Sequence, residues 1–307
     1  MKKLLALALA LIMVLSCAAA LADEPITLTY SEVNPLEGTI VGAMALAFKE
    51  KVEELSGGSV VIDIQAGGVL GSEDQILDNL LGGGNITDIG RFSAFALTQY
   101  GCDKAKLLSI PYTFVNEDHF WKFADSEMAK DFLMEPQTLG LPLRGLCYGE
   151  EGFRHFFIRK GIEVKTIEDL KGLKIRVSAD PVMTGMVDAA EQPTSNYFAK
   201  AFPEVAPTLL LDGHTLGAIQ LIITDAAWAK LNEEQQGWIM EAAAYASQVC
   251  REKVAEIEAE TFQKLADMGV TVIEVTDKAP WVEACQPTSQ ANTADQAELY
   301  QQILDMQ

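Results

Sequence analysis

Two arginines within apolar segments are the residues of this chain best suited to binding chemistry. Arg154 and Arg176 lie in the stretch GFRHFFIRKGIEVKTIEDLKGLKIRV, which runs from Gly152 to Val177, and each sits in a strand-like run. A guanidinium group is planar and always charged, and it binds a carboxylate through two parallel hydrogen bonds. A charge within an apolar strand needs an anionic partner. That partner is either a ligand or a structural Asp or Glu, and the sequence leaves both open.

A third arginine and one histidine, His214, are further candidates. Arg91 follows the segment TDIG, where we expect a strand to finish, and open α/β sheets bind ligands beyond the carboxyl ends of their strands. His214 follows Asp212-Gly213, so we predict that it lies in a turn. His155 is adjacent to Arg154 and should point to the opposite face of its strand, where it packs or meets solvent.

Catalytic and cofactor motifs are missing from the sequence. It contains no G-x-S-x-G, no H-E-x-x-H and no phosphate-binding G-x-x-x-x-G-K-[ST] pattern. A Ser–His–Asp or Cys–His site stays open as an alternative, with His119, His155 and His214 as the candidate bases. We predict no catalytic residue, no metal and no cofactor.

The cysteines give little support to a metal site. Beyond the N-terminal segment they are Cys102, Cys147, Cys250 and Cys285, which are widely spaced and form no C-x-x-C pair. In an oxidising compartment one or two disulfides are an option, with Cys102 and Cys147 the first pair to test. Buried free thiols are the alternative, since a chain of this length can build its core without cross-links.

The charge of the chain excludes some partners. It has 23 Lys and Arg against 44 Asp and Glu, for a net charge of -21. This argues against nucleic acid and against an anionic membrane surface. An acidic protein that binds an anion must concentrate its positive field locally, which strengthens the interest of the arginines.

The first residues have the pattern of a secretory signal. Lys2 and Lys3 precede an apolar run over 4–15, and Ala20-Leu21-Ala22 is a small-residue cleavage site. We expect cleavage after Ala22, so that 1–22 is a signal peptide and the mature chain is periplasmic or otherwise extracytoplasmic. The alternatives are an uncleaved anchor and a lipoprotein signal, in which Cys17 would be lipidated and become the new N-terminus.

The first half of the chain alternates strand and helix patterns. The predicted elements are a strand at Ile26–Ser31, a helix at Gly38–Leu55, a strand at Val60–Ile64, a helix from the cap Ser72 to Leu81, and a strand that begins at Ile86. This βαβαβ order is typical of a parallel, doubly wound sheet.

The second half adds more strands and one long helix. The predicted elements are a helix at His119–Phe132, strands at Leu141–Tyr148, Phe153–Ile158, Leu173–Val177, Ala218–Thr224 and Val270–Val275, a helix from about Glu233 to Met268, and helical pieces from Trp281 to Gln307. The helix from Glu233 is long enough to run along two domains.

Several segments, taken in order, resemble the substrate-binding subunits of tripartite ATP-independent periplasmic (TRAP) transporters. They are LTYSEVNPLEGTIVGAMALAFKEKVEELSGGSVVIDI, GGVLGSEDQILDNLLGGG, LLSIPYTF, DHFWKF, GFR followed by DLKGLKIRV, and AEQPTSNYFAKAFPEVAP. The resemblance runs from Ile26 almost to the end of the chain. It implies an α/β, periplasmic-binding-protein-like fold of two domains, joined by a hinge and braced by the long helix.

The same resemblance implies a function and a domain division. The function is a non-enzymatic, monomeric receptor that binds a small organic acid and delivers it to the membrane subunits of a TRAP permease. The expected domains are 23–151 plus about 218–257, and 152–217 plus about 258–307. An exported hydrolase for an acidic substrate, or a ligand sensor for a signalling receptor, are the alternatives.

The resemblance also assigns ligand-binding residues. It implies that Arg176 forms a salt bridge with the ligand carboxylate and that Arg154 is a second charged partner. Gln192 stands where the family commonly has an Asn that hydrogen-bonds the ligand. The remaining residues expected at the cleft are Glu32, Asn34, Glu73, Arg91, Asn196 and His214.

One departure from the family pattern predicts a shortened second domain. Asp180–Met183 resembles the start of one family helix, whereas Thr184–Pro193 already resembles the end of the next helix and the segment after that helix. We therefore expect an internal deletion near Met183-Thr184 that removes a strand and parts of two helices. Such a loss would leave a sheet edge uncovered and would weaken folding or binding.

Overall fold

The computed structural model describes residues 24–176 and 188–307 of the chain. The predicted signal peptide, Cys17 and the predicted deletion at Met183-Thr184 lie outside the described residues. No helix within the described ranges is long and apolar enough to cross a membrane.

Strands and helices alternate through the first half of the described chain, as the sequence predicts. The strands are β1 (Ile26–Ser31), β2 (Val60–Gln65), β3 (Ile89–Ser93), β4 (Leu143–Ile158), β5 (Ile175–Arg176), β6 (Ala189–Pro193), β7 (Thr208–Thr224) and β8 (Thr271–Glu274). The helices are α1 (Ile40–Leu55), α2 (Glu73–Leu81), α3 (Asp103–Leu107), α4 (Glu117–Ala124), α5 (Glu127–Leu133), α6 (Glu135–Thr138), α7 (Thr194–Ala199), α8 (Asp225–Trp228), α9 (Glu233–Asp267), α10 (Ala279–Thr293) and α11 (Ala297–Leu304).

All of the described strands join one sheet. Its order is β2-β1-β3-β7-β4-β6-β5, and β8 pairs with β7. β1 is parallel to β2 and β3, and β5 is parallel to β6. The long strands β4 and β7 are antiparallel to each other. β7 is also antiparallel to β3, and β4 is antiparallel to β6.

β4 and β7 cross from one end of the sheet to the other. Their pairing is irregular between Glu150 and Phe153, which marks a β-bulge. Gly152 and Gly213 have φ values of 82° and 59°, a region that glycine enters without steric cost. We call one end of the sheet the first lobe. It contains β1, β2 and β3, together with β4 before Glu150 and β7 after Gly217. The opposite end, which contains β5, β6 and β8, is the second lobe.

Each lobe has an apolar core on both faces of its part of the sheet. In the first lobe, one cluster contains Leu28, Met44, Phe48, Phe120 and Ile219, and the other contains Ile76, Leu77, Leu80, Phe92 and Leu97. In the second lobe, the clusters are centred on Phe157, Tyr197 and Leu209, and on Ile158, Leu210 and Trp281. A sheet covered on both faces is the expected architecture for parallel strands linked by helices.

The helix α9 packs against both lobes. It has 35 residues, which corresponds to about 52 Å at 1.5 Å per residue. Ile239 and Ala246 lie in the first-lobe core, while Phe262 and Leu265 contact the core of the second lobe. Its start is fixed by a reciprocal capping box between Asn232 and Gln235. The prediction of one long helix from about Glu233 is therefore confirmed.

Two strand predictions were wrong because a turn signal was given too much weight. β3 begins at Ile89 instead of Ile86, so Arg91 lies in the middle of this strand and not beyond its end. β7 begins at Thr208 and continues through Asp212-Gly213, so His214 lies within a strand and not in a turn. Glycine bends β7 at that point without ending it.

Two further elements differ from the prediction in their continuity. The runs at Leu141–Tyr148 and Phe153–Ile158 form one strand, β4, because the bulge keeps the pairing with β7 across the crossing point. The helix predicted at His119–Phe132 is interrupted, because Ser126 accepts a hydrogen bond from the Ala129 backbone N–H and so starts a new helix, α5.

The four described cysteines are free thiols. Cys102, Cys147 and Cys250 are buried, and Cys285 is half-buried. The alternative of buried free thiols therefore describes this core, and Cys102 and Cys147 do not form a disulfide.

Candidate functional site

A large cavity lies between the two lobes, at the carboxyl ends of β1, β3, β5 and β6. Its volume is about 1090 Å³. The residues that line it from the first lobe include Asn34, Glu73, Gln75, Arg91, Ser93, Phe95 and Gln99, and those from the crossing point and second lobe are Glu151, Arg154, Arg176, Gln192, Ala199 and Lys200. Ligands of open α/β sheets bind at this position relative to the strands.

Arg91 is buried among carboxylates of the first lobe. Its side chain is 1% exposed. Nε and Nη2 donate to the two oxygens of Glu32 at 3.0 and 2.6 Å, and Nη1 donates to Glu73 Oε1 at 2.6 Å. Nη1 also lies 3.4 Å from Glu151 Oε1. The donors of this guanidinium are therefore engaged by the protein's own acids, which is the structural alternative that the sequence left open.

Glu73 reaches Arg91 because of the way α2 begins. Ser72 Oγ accepts from the backbone N–H of Gln75, and the Gln75 side chain accepts from the backbone N–H of Ser72. This capping box places Glu73 in the first turn, where it also accepts from the backbone and hydroxyl of Ser93. Burial raises the pKa of Glu73, and Arg91 opposes that increase.

Arg154 forms the corresponding buried ion pair of the second lobe. Nε and Nη2 donate to the two oxygens of Glu191 at 2.5 and 2.9 Å, across the pairing of β4 with β6. Nη1 donates to Glu151 Oε2 at 3.4 Å. Burial alone would raise the pKa of Glu191, but Arg154 and then His214 hold it well below its usual range.

Glu151 connects the two arginines at the crossing point of β4. Its Oε1 accepts from the side-chain amides of Asn34, at 3.0 Å, and Asn196, at 3.2 Å. The same carboxylate lies 3.4 Å from both Arg91 and Arg154. Residues from both lobes therefore meet at this one side chain.

His214 supports the Arg154 pair from behind the cavity wall. Its Nδ1 is 2.7 Å from Asp212 Oδ2, its Nε2 is 3.6 Å from Glu191 Oε2, and its ring stacks on Phe156. Burial alone would lower the pKa of His214, but Asp212 and Glu191 raise it to about 9. These two carboxylates therefore favour the cationic form of the imidazole.

The predicted site residues fall into two groups. Those on the cavity wall are Arg176, Arg154, Gln192, Asn34, Glu73 and Arg91. Glu32, Asn196 and His214 are held behind the wall. Glu32 and Asn196 contact the wall residues Arg91 and Glu151 directly, whereas His214 contacts Glu191, the partner of Arg154. His155 accepts a hydrogen bond from the backbone N–H of Gly213, which is the packing role expected for it.

Sequence reasoning missed several lining residues, above all Lys200. It caps the carboxyl end of the short helix α7, which follows directly on β6. Gln75, Phe95 and Gln99 were also missed. The S-E-D-Q pattern at the start of α2 could have indicated Gln75, whereas Phe95 and Gln99 lie in a 3₁₀ helix after β3, Ala94–Tyr100, that has no local signature.

The histidines are engaged in contacts that do not resemble a catalytic site. His119 Nε2 is 2.7 Å from the backbone oxygen of Ile303, and His155 and His214 make the contacts given above. None of these partners is a serine or cysteine nucleophile. Within 24–176 and 188–307, no three His, Cys, Asp or Glu side chains are grouped to hold a metal ion.

Comparison with known families agrees with a binding cleft. Residues 30–186 and 182–296 match the DctP family, described as bacterial extracellular solute-binding protein, family 7. The chain therefore belongs to this family, the solute-binding proteins of TRAP transporters, which are not enzymes. The two matched segments overlap at 182–186, where the sequence predicts a deletion.

Individual relatives match most of the chain, one in sequence and two in fold. The 2,3-diketo-L-gulonate-binding periplasmic protein YiaO of Escherichia coli is 26% identical over 265 residues, which cover 78% of this chain and 79% of YiaO. A TRAP periplasmic solute-binding protein from a Bordetella species, with density interpreted as pantoate, is 25% identical with a TM-score of 0.82 and covers 92% of this chain and 99% of that one. A protein of Polaromonas sp. JS666 bound to D-erythronate has a TM-score of 0.84 at 23% identity, with 91% and 98% covered.

Proposed function

We propose that this protein is an extracytoplasmic receptor that binds a small carboxylated metabolite between its lobes and delivers it to a TRAP-type membrane permease. The observation that carries the proposal is a cavity of about 1090 Å³ with Arg176 on its wall, at the carboxyl ends of strands from both lobes. A guanidinium at the edge of such a cavity can hold a carboxylate through two hydrogen bonds.

Arg176 is the residue to which we assign the carboxylate. It is the last residue of β5, it is half-buried, and it faces the cavity. The sequence resemblance assigns the same role to this position. Closure of the lobes would exclude water, and the pair would become stronger as the local dielectric constant falls.

The other arginines would hold the wall in shape. Arg91 and Arg154 already donate to Glu32, Glu73, Glu151 and Glu191. We therefore infer that their main role is to hold these carboxylates in place and not to bind the ligand carboxylate. Gln192 and Asn34 also lie on the wall, and we assign them to the polar groups of the ligand. Glu32, Asn196 and His214 would act through the residues that they contact.

The named ligands of two relatives support the chemical class. YiaO is named for 2,3-diketo-L-gulonate, and the Bordetella protein carries density interpreted as pantoate. Both compounds are carboxylates that bear further oxygen atoms. A small hydroxylated or oxidised acid of similar size is therefore the ligand class that we propose here.

We also propose that the two lobes move as domains. The hinge would lie where β4 and β7 cross, near Gly152 and Gly213, because the pairing is irregular there and both glycines bend the backbone. The division is 23–151 with about 218–257, and 152–217 with about 258–307. This division is changed in one respect, because Ile303 packs in the first-lobe core. We assign α11 to the first lobe, although the predicted division gives it to the second.

Export and delivery complete the proposal. The signal-like segment before Ala22 would direct the chain out of the cytoplasm, and YiaO is named as a periplasmic protein. Alternatively, the exported protein would be held at the membrane by a lipid attached to Cys17. The receptor would meet the permease subunits as a monomer after the lobes close.

Calorimetry with Arg176→Ala tests the proposal. The variant should bind a carboxylate ligand more weakly by at least about 2 kcal/mol, the usual scale for removing one member of a desolvated charged pair. Arg159→Ala is the control, because Arg159 is an exposed second-lobe arginine paired with Asp188. Unchanged affinity in Arg176→Ala would remove this residue from the site and the central support from the proposal.

A further inference from the structure

Lys200 is a cation on the cavity wall whose charge is not paired within the described part of the chain. It caps α7 and lines the cavity beside Ala199. In the described ranges, its ammonium group has no hydrogen-bond partner and no carboxylate within ion-pair distance. Burial lowers the pKa of Lys200, although Glu151 opposes that change. An ammonium in this position gains from any oxygen that enters the cavity.

The charges that act most on Lys200 lie in the acid cluster around Arg91, in the first lobe and at the crossing point of β4. Glu151, Arg91, Glu32 and Glu73 are the charges that act on its ammonium. Three carboxylates in this cluster surround one guanidinium, and the cluster therefore carries an excess of negative charge. Glu73 and Glu151 line the same cavity as Lys200, and both act on its ammonium, so a ligand group bound at Lys200 also meets the charge of these carboxylates.

This pairing of a donor with an acceptor selects among ligand groups. A hydroxyl can accept from the Lys200 ammonium and donate to a carboxylate at the same time. A second carboxylate on the ligand could only accept, and it would meet the like charge of Glu73 and Glu151, which costs several kcal/mol in a desolvated site.

We propose that Lys200 and Glu73 together bind a hydroxyl group of the ligand, so that the cleft selects a hydroxylated monocarboxylic acid over the corresponding dicarboxylic acid. The inference rests on the proposed function, in which Arg176 holds the single carboxylate. It adds the chemistry of the opposite end of the ligand and a specificity-determining role for Lys200.

Matched pairs of acids test the selectivity. D-gluconate and D-glucarate differ only by oxidation of the terminal CH₂OH group to a carboxylate, and so do D-erythronate and meso-tartrate. The comparison uses the pair that binds more tightly to the full-length mature protein. In that pair, calorimetry should show that the monoacid binds at least about tenfold more tightly than the diacid, because the second carboxylate of the diacid meets like charges. Equal or tighter binding of the diacid would overturn the inference.

Variants of Lys200 test the residue itself. Lys200→Met should weaken binding of the preferred monoacid by about tenfold or more, the scale of a hydrogen bond to a charged group. Lys200→Arg keeps the charge and should restore most of the affinity. Lys160→Met is the matched control, because Lys160 is an exposed lysine of the second lobe that does not line the cavity. Full affinity in Lys200→Met would contradict the assignment.

The failure of this inference can be told apart from the failure of the proposed function. Arg176→Ala should weaken both members of a pair, because both present a carboxylate to that residue. Glu73→Gln should reduce the difference in affinity between monoacid and diacid, because it removes one of the charges that repel the second carboxylate. If Arg176→Ala has no effect, the proposed function fails. Only the present inference fails if Arg176→Ala weakens binding of both acids but the wild type binds monoacid and diacid equally well. The same holds if Glu73→Gln leaves the difference between their affinities unchanged.

Discussion

The two lobes share part of a strand plan, but the described residues of the second lobe include no counterpart of β2 beside β5 and instead include β8 beside β7. In the first lobe, β1 lies between β2 and β3, and its pairing with β2 extends over six residues from Ile26 to Ser31. In the described part of the second lobe, β5 pairs only with β6, at Ile175 and Arg176. The roles of β4 and β7 are exchanged between the lobes, since β3 pairs with β7 and β6 pairs with β4.

This comparison gives a physical meaning to the deletion predicted near Met183-Thr184. If β5 corresponds to β1 and β6 to β3, the counterpart of β2 would lie on the outer side of β5. A deletion of one strand and parts of two helices would remove that counterpart. If that strand is lost, we expect the second lobe, which carries Arg176, to be the less stable half of the molecule, because its sheet would bury less backbone and less apolar surface.

The largest expected effect concerns the buried arginine of the first lobe. Arg91→Met leaves Glu32, Glu73 and Glu151 without their shared cation, and breaking a buried ion pair in this way typically costs about 3–5 kcal/mol. Chemical denaturation should show this loss in the free energy of unfolding. Arg159→Met, which removes an exposed pair, should cost less than about 1 kcal/mol. Similar costs for the two variants would show that the Arg91 cluster does not stabilise the first lobe.

The comparison itself is tested by hydrogen exchange. Backbone amides of β6 and α7, over 189–199, should exchange through openings whose free energy is about 2 kcal/mol or more below that of β1 and β3, because local stability follows the extent of packing. Exchange measured by mass spectrometry on the ligand-free protein would give both values. Equal protection of the two lobes would mean that the second lobe is not weakened.

A buried acid at the crossing point predicts a dependence of stability on pH. Glu150 is fully buried, and its Oε1 accepts from Trp121 Nε1 at 2.5 Å, while its other oxygen has no hydrogen-bond partner among the described residues. Burial raises the pKa of Glu150 to about 8, and the Trp121 bond opposes that increase. Between the ordinary pKa and about 8, the folded state binds a proton that the unfolded state has lost, so stability falls as the pH rises through this window.

Glu150→Gln should remove this dependence, because glutamine keeps the oxygen that accepts from Trp121 and carries no charge. Thermal melts at pH 5 and pH 9 should show a gain for the variant only at pH 9, on the order of 5 °C. Burial also raises the pKa of Glu258, to about 7. This group makes stability fall with rising pH in both the variant and the wild type. Equal differences between variant and wild type at the two pH values would contradict the assignment.

The smallest effect distinguishes the lobes by thiol reactivity. Cys102, Cys147 and Cys250 pack in first-lobe cores, and burial raises the pKa of Cys102 and Cys147 to about 12. Cys285 is half-buried in α10. Brief alkylation of the native protein should therefore modify Cys285 first, and mass spectrometry should find the other three unmodified until the protein is denatured. Early modification of a first-lobe cysteine would reverse the predicted order.

The features that could be predicted from the sequence were mostly local. The cap at Ser72 and the helical periodicity from Glu233 are signals within a few residues, and both elements formed as predicted. The continuity of β7 through Gly213 could not be read in this way, because it depends on pairing with β4, a distant segment of the chain.

The charged partners of the site are also non-local. Arg91 pairs with Glu32 across 59 positions of the sequence, and Arg154 pairs with Glu191 across 37. The sequence showed that each arginine needs an anion, but among so many carboxylates it could not show which one. Lys200 has no motif of its own, and only the juxtaposition of the two lobes places it at the cavity.

Native mass spectrometry of the wild type and Arg176→Ala, purified side by side under gentle conditions, tests the central claim most directly. We predict that the wild type retains a small organic acid that is lost or strongly depleted in the variant. The claim would be contradicted if the retained compound carried no carboxylate, or if both proteins retained the same acid to the same extent.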